Sequence, residues 1–364
     1  MSVLLFAVSN VFVALFLNIM AEKQRIEYID LMKGIAIILI IVVHCHISVP
    51  EPLCFMLSYV RIPLFIFISG LFFSTYGDSF KRMLVKKVNK LMVPFISFNV
   101  LFLVLLPFLN GSCTFKMIKG GIYALMRYDI YFLNSSLWFL LLLFLMALMC
   151  FCYERLMHNH SKIFKLVIAI FISFIAFEIN TEIWNYLAED DYPKGFLYRF
   201  HIMPLLILYP LYYAAYLFRD KILCPHKPLY LWLILPVALM TWYLMVEGPT
   251  WYLECFFTRN YLKLWLAQLG GMYVIYFIGY MLKRVPYVSY MGRYSIIVLC
   301  VHMIVYSFTM TTIRVGDENI ICLVILAVSP ALIWLLKRYM PHFTAQKDLI
   351  KLDEKGKMKI SFTD

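Results

Sequence analysis

Charge is what this sequence has least of. Asp, Glu, Lys and Arg make up 15% of its 364 residues, against 63% apolar residues and a mean hydropathy of +0.81. Soluble domains are about a quarter charged and about half apolar. So few charges cannot clothe a water-facing surface, and a soluble globular fold is excluded. The 9 cysteines include no CxxC pair and no metal-type spacing with histidine. Several lie inside apolar runs, so they read as packing residues and no metal is expected. There is no detectable internal repeat and no linker between two halves. One membrane domain over 1–340 is therefore expected, followed by a polar, loosely ordered cytoplasmic tail over 341–364.

What is present is a series of apolar runs long enough to cross a hydrocarbon core of roughly 30 Å. Ten are expected to span: 34–49, 59–76, 91–109, 132–152, 163–179, 198–218, 229–247, 263–282, 287–309 and 318–336. Each is read as helix, because backbone groups in lipid must be satisfied within the segment. The fold class is thus an all-α polytopic bundle of about ten transmembrane helices. The apolar stretch 1–19 is a possible extra helix. It has no basic start of the kind a secretory signal carries, and Met20 opens a stretch that reads like an ordinary soluble N-terminus, so Met20 is the alternative start to a real helix over 1–19.

The net charge of +12 suggests nucleic acid, but the basic residues sit in short loops and form no soluble basic face. Loop 77–90 holds Lys81, Arg82, Lys86, Lys87 and Lys90; loop 50–58 holds no Lys or Arg, and loop 180–197 is acidic. The alternation gives an N-in, C-in topology by the positive-inside rule. Loop 110–131, with Lys116, Lys119 and Arg127, is outside in this scheme and is its weakest point.

Ionisable residues inside membrane helices are costly and mark functional sites by default. His44 lies 11 residues after Lys33, which is about 16 Å along a helix and within roughly 20° of the same face. Asp30 shares that face and can pair with Lys33. One stripe thus runs from an Asp–Lys pair at the cytoplasmic edge to a histidine deep in the membrane. The plainer reading keeps Asp30 and Lys33 as interface anchors and His44 as a capped histidine at the outer end.

These residues carry a family resemblance. The run from Arg25 through Asp30, Lys33 and Gly34 to His44 resembles the opening of the membrane acyltransferase-3 family, whose mark is Arg or Lys, ten residues, then His. Arg61-Ile-Pro63 through Ser69-Gly70 resembles the family's second helix. Lys81 to Pro94 resembles its basic loop, Leu137 to Leu140 its Trp-Phe-Leu helix, and Gly292, Ser295 and His302 its late helix. The match is similar in flavour to the sugar O-acetylases of the fucose-acetylase type. That subgroup often has His-Met-Pro where this chain has Arg61-Ile-Pro63, and Tyr where it has Leu299. These departures bear on the substrate more than on the reaction.

The resemblance implies an enzyme of the bacterial cytoplasmic (inner) membrane; no nucleic-acid partner is expected, because the basic residues lie in short loops. It would move an acyl group from cytoplasmic acyl-CoA, with acetyl-CoA expected, to a hydroxyl of a cell-surface polysaccharide or lipid-linked sugar. His44 is then the candidate base, because histidine titrates near neutral pH, with Lys33 and Asp30 in support. Lys81, Arg82, Lys86, Lys87 and Lys90 would hold the CoA phosphates, or else serve topology and membrane-lipid anchoring. Arg61, Trp138, Ser295 and His302 are the candidate substrate-binding residues: Arg61 for the sugar, Trp138 as a wall of the acyl tunnel, and Ser295 and His302, seven residues apart on one face, as lining of the central cavity. Trp138 reads equally as a core or interface aromatic. The rival function is a transporter or flippase for a lipid-linked glycan, which inverted repeats would favour.

The topology has a direct test. Single cysteines at Glu189→Cys and Asp78→Cys, in a chain otherwise free of cysteine, are probed with an impermeant thiol reagent from outside. Position 189 should label and position 78 should not; the reverse pattern overturns the N-in scheme.

Overall fold

The structure, a computed structural model, describes residues 26–47, 49–75, 77, 79–109, 134–185, 201–224, 228–246, 258, 260–352 and 358–360. The stretch 1–19, the start at Met20, loop 110–131 and most of loop 180–197 lie outside the described residues.

The fold is an all-α bundle. Its first helices are α1 (Glu27–His44), α2 (Glu51–Leu71) and α3 (Phe80–Lys87). A π-turn (Val88–Met92) joins α3 to α4 (Val93–Leu109). A 3₁₀ turn (Ser135–Leu137) leads into α5 (Trp138–Leu156), and α6 (Lys162–Asn185), α7 (Ile202–Leu217) and the short α8 (Arg219–Leu223) follow. The remaining helices are α9 (Pro228–Met245), α10 (Tyr261–Leu282), α11 (Pro286–Arg293), α12 (Ser295–Thr311) and α13 (Glu318–Tyr339). A two-stranded antiparallel hairpin of β1 (Ile350–Leu352) and β2 (Met358–Ile360) closes the chain.

Each of the ten expected segments falls on this helical framework. Six continuous helical stretches among the described residues are long and apolar enough to cross a membrane: α2, α3 through α4, α5 with its 3₁₀ turn, α6, α10 and α13. The α11–α12 pair passes the same test only when taken together. Helices α7 and α9 are shorter apolar helices, and α1 carries Glu27, Asp30 and Lys33 within its first two turns. The outward faces of α6 and α9 expose Ile163, Phe171, Leu229 and Val237, as suits helices whose solvent is lipid.

Two expectations need correction. The basic segment 77–90 is not a loop. From Phe80 it is helix, started by Ser79, whose Oγ accepts from the Arg82 N–H. Pro94 lies in the first turn of α4. Proline removes a backbone donor and crowds the preceding turn, and the wider π-turn lies immediately before it, as such single-turn bulges do within α-helices. The ninth span is likewise not one helix: α11 and α12 meet at an angle of 91°. Tyr294, between them, has φ −113° and ψ 29°, which breaks the helical run.

The bend is held from the other side by α1. A Cβ on Gly34 would lie 1.9 Å from the Val288 carbonyl oxygen. One on Gly292 would lie 1.8 Å from the Asp30 carbonyl oxygen. The two helices therefore cross backbone to backbone, as small residues allow in membranes. Gly70 makes a similar approach of α2 to α7, against the Tyr212 carbonyl.

The tail also departs from a loose strand. Asn89 in the π-turn accepts from Leu349 N (2.9 Å) and Ile350 N (2.8 Å) and donates to the Ile350 carbonyl (2.7 Å). Asp348 pairs with Lys86. The described part of the tail thus folds back onto the basic helix.

The glycine crossing is tested by Gly34→Ala and Gly292→Ala. Each forces backbone apart and should cost on the order of 1–3 kcal/mol, the range for overpacking a filled site. Gly316→Ala, which meets nothing within 4 Å, should be neutral. Thermal unfolding in detergent reads all three, and equal melting temperatures would remove the crossing as a constraint.

Candidate active site

His44 is the last residue of α1. One α-helical turn back, Ile40 offers its carbonyl oxygen 3.0 Å from His44 Nδ1. The same nitrogen lies 3.3 Å from His302 Nε2 on α12, and the two rings are tilted at 49° with centroids 5.1 Å apart. His302 is buried, 1% exposed. Its Nδ1 sits 3.1 Å from the Val298 carbonyl oxygen and 3.0 Å from that of Leu299.

In front of His44 lies a cavity of about 40 Å³ lined by Ile40, Val43, His44, Arg61, Ile62, Ser136, Trp138, Phe139 and Leu299. Arg61, from α2, also borders a second cavity of about 210 Å³ shared with His46, Ile47, Val49 and Cys54. Trp138 opens α5 and lies against the His201 ring, centroids 4.6 Å apart. Phe139 meets Phe65 edge-on at 5.8 Å. Four separate helices therefore bring His44, Arg61, Trp138 and His302 to one place, with an imidazole, a guanidinium and an indole around a small void.

The wall behind this void is a buried polar network absent from the sequence-based reading. Asn134 Nδ2 donates to the Cys300 carbonyl (2.9 Å), and Ser136 Oγ lies 2.7 Å from Asn134 Oδ1 and 3.1 Å from the Leu299 carbonyl. The Asn134 N–H donates to Asn99 Oδ1 (3.2 Å). The available signal was asparagine inside or beside apolar runs, since polar side chains in membrane helices need partners.

The other expected residues sit elsewhere. Lys33 and Asp30 stand about three and four turns back toward the start of α1, about 16 and 21 Å from His44 along the axis. The Lys33 ammonium is 5.3 Å from the Phe72 ring centroid. Asp30 borders a polar cavity of about 180 Å³ with Glu27, Arg284, Ser289, Tyr290 and Arg293. Arg284 and Glu27 are 3.4 Å apart there. Ser295 opens α12 at the bend, about 10 Å along the axis from His302, so the structure does not bring it to His44.

The five basic residues do not converge on one point. Lys81, Arg82 and Lys90 are exposed, Lys86 pairs with Asp348, and Lys87 sits 5.1 Å from the Phe73 ring centroid. A helix turns successive side chains by about 100°, so a cluster in sequence becomes a ring in space. A third ionic group, on α5 to α7, was also unforeseen. Glu154 takes Lys165 Nζ at 3.1 Å and the Tyr213 hydroxyl, while Tyr153 donates to the Lys165 carbonyl at 2.6 Å.

No curated protein and no solved structure gave a match to the chain. The model of one family does match: an acyltransferase domain, over residues 26–339. That span begins just before α1 and ends with α13, so it takes in every helix that builds the site, and the chain belongs to the acyltransferase-3 family of membrane proteins.

Proposed function

We propose that this membrane acyltransferase is an O-acyltransferase, with acetyl-CoA its expected donor, acting on a hydroxyl of a cell-surface polysaccharide or a lipid-linked sugar in the bacterial inner membrane. The observation that carries the reading is the placement of His44. Its imidazole lines a void shared with Arg61, Ser136 and Trp138, at the far end of the helix whose first turns hold the charges. A histidine in that position can accept a hydroxyl proton.

The chemistry divides along α1. The donor's phosphates belong at the cytoplasmic edge, where exposed Lys81, Arg82 and Lys90 and the Lys33 ammonium supply positive charge. Its thioester must reach His44, about 16 Å beyond Lys33, a span suited to an extended pantetheine arm. The acceptor hydroxyl oxygen then bonds to the acyl carbon while His44 takes its proton. The carbon–sulfur bond breaks, and the CoA thiolate leaves and is protonated. On this reading Arg61 binds the sugar through its guanidinium donors, and Trp138 walls the path of the acyl group. Lys86, held by Asp348, meets a donor phosphate only by exchanging partners.

A transporter reading draws on one feature, the broken α11–α12 helix, since discontinuous helices line many transport sites. Consumption of acyl-CoA separates the two.

His44→Ala should lower turnover by roughly 10²–10⁴-fold, the usual worth of a general base, with little loss of protein. His46→Ala is the control, since His46 borders the neighbouring cavity instead. Lys33→Met should raise the KM for acyl-CoA more than it lowers kcat, and Lys33→Arg should keep part of the activity. The assay is labelled acyl-CoA turnover in membranes at matched abundance. Normal activity in His44→Ala, or loss confined to His46→Ala, sinks the assignment.

A further inference from the structure

With both rings neutral, the two histidines meet in an arrangement with only one consistent placement of protons. His302 Nδ1 faces the Val298 and Leu299 carbonyl oxygens at 3.1 and 3.0 Å. A carbonyl oxygen only accepts, so Nδ1 must carry a proton. In a neutral imidazole the other nitrogen, Nε2, is then an acceptor. That nitrogen lies 3.3 Å from His44 Nδ1, which also lies 3.0 Å from the Ile40 carbonyl oxygen. His44 Nδ1 is therefore flanked by two acceptors. A lone pair there would face two other lone pairs, whereas an N–H there is shared between them.

We infer that His302 is a positioning residue that holds His44 in the Nδ1–H tautomer, so that His44 Nε2 is the nitrogen that takes the acceptor's proton. The inference rests on the reading of His44 as the base for its catalytic consequence, although the tautomer follows from the geometry alone. It gives His302 a different part from the lining of the central cavity expected of it. With 1% exposure and both ring nitrogens engaged within the protein, His302 serves the substrate through His44.

The consequence for the reaction is specific. The hydroxyl proton passes to His44 Nε2 as the oxygen–carbon bond forms. His44 then carries protons on both nitrogens, and its Nδ1–H is held by Ile40 and His302. The Nε2 proton leaves with the CoA thiolate as the carbon–sulfur bond breaks, and the starting tautomer returns. Arg61 lines the same cavity and is the cation facing this step. The asparagine and serine behind α12 take part as well. Ser136 and Asn134 bind the Leu299 and Cys300 carbonyls, which fixes the stretch of α12 that carries His302.

Two measurements test the inference. In the first, His302→Leu removes the acceptor while keeping apolar bulk, and His302→Gln returns an acceptor oxygen near the place of Nε2. The kcat of His302→Leu should fall on the order of 10–100-fold, by analogy with losing an outer-shell hydrogen bond that orients a metal-bound imidazole. The KM for acyl-CoA should move little, and His302→Gln should recover most of the loss. Unchanged kcat in His302→Leu, or equal losses in the two variants at equal abundance, overturns the assignment. The second is ¹⁵N–¹H nuclear magnetic resonance on histidine-labelled protein, with the His44 signals identified by their loss in His44→Ala. The proton should reside on Nδ1 of His44 and on Nδ1 of His302. A proton on His44 Nε2 in the resting protein overturns it. The spectrum needs no acyl transfer, so it decides the tautomer even if the proposed reaction fails.

Discussion

The close crossing of α1 and α11 governs the rest of the site. Gly34 and Gly292 let the two backbones meet with carbonyl oxygens where side chains would otherwise stand. Because α11 ends at Arg293 and the chain turns by 91° into α12, the crossing sets where α12 begins and which way it runs. His302 lies two turns into α12, and His44 lies nearly three turns beyond Gly34 on α1. Each histidine is thus placed by counting helical turns from the same contact. A shift at the crossing would be carried rigidly along both helices to the ring pair, because helices in a packed bundle transmit displacement more readily than they absorb it.

Burying polar groups in such a bundle is costly unless each finds a partner. The protein meets this in separate layers. At the last turn of α1, two imidazoles use each other and three backbone carbonyls. Behind them, Asn99, Asn134 and Ser136 form a chain ending on carbonyls of α12. Elsewhere, Glu154 gathers Lys165 and Tyr213. Most of these bonds end on backbone oxygens, which cannot ionise and do not move, so they orient the side chains without adding charge to the interior.

The architecture was legible because lipid imposes a simple rule: runs of apolar residues must be helices. The stripe from Asp30 to His44 was legible for a similar reason, since helical periodicity within one segment needs no tertiary information. The partnership of His44 with His302 was not, because it depends on how two segments 258 residues apart are set by a glycine crossing and a bend. Lys81 to Lys90 failed as a cluster for the opposite reason. The sequence shows density of charge, but the helix that starts at Ser79 distributes it around an axis. The docking of Asp348 and Ile350 on Lys86 and Asn89 joins residues about 260 apart, and no local pattern announces it.

The layout of α1 also bears on how an acyl group would cross a membrane without its carrier. On the proposed reading, the phosphates of the donor need water and cations, while the sugar acceptor stands on the far side. Neither need traverse the apolar core if the reacting atoms meet between them. One helix carries charge in its first two turns and the base at its last residue, so the distance from phosphate to thioester is set by the rise of that helix, about 1.5 Å per residue. A rigid spacer of this kind holds the thioester and the base in register without a moving part. The void at His44 holds about 40 Å³, far below the several hundred ångströms cubed of a typical small-molecule pocket. On the proposed reading, a bulky acyl chain would need the side chains that line the void, Trp138 and Phe139 among them, to move apart.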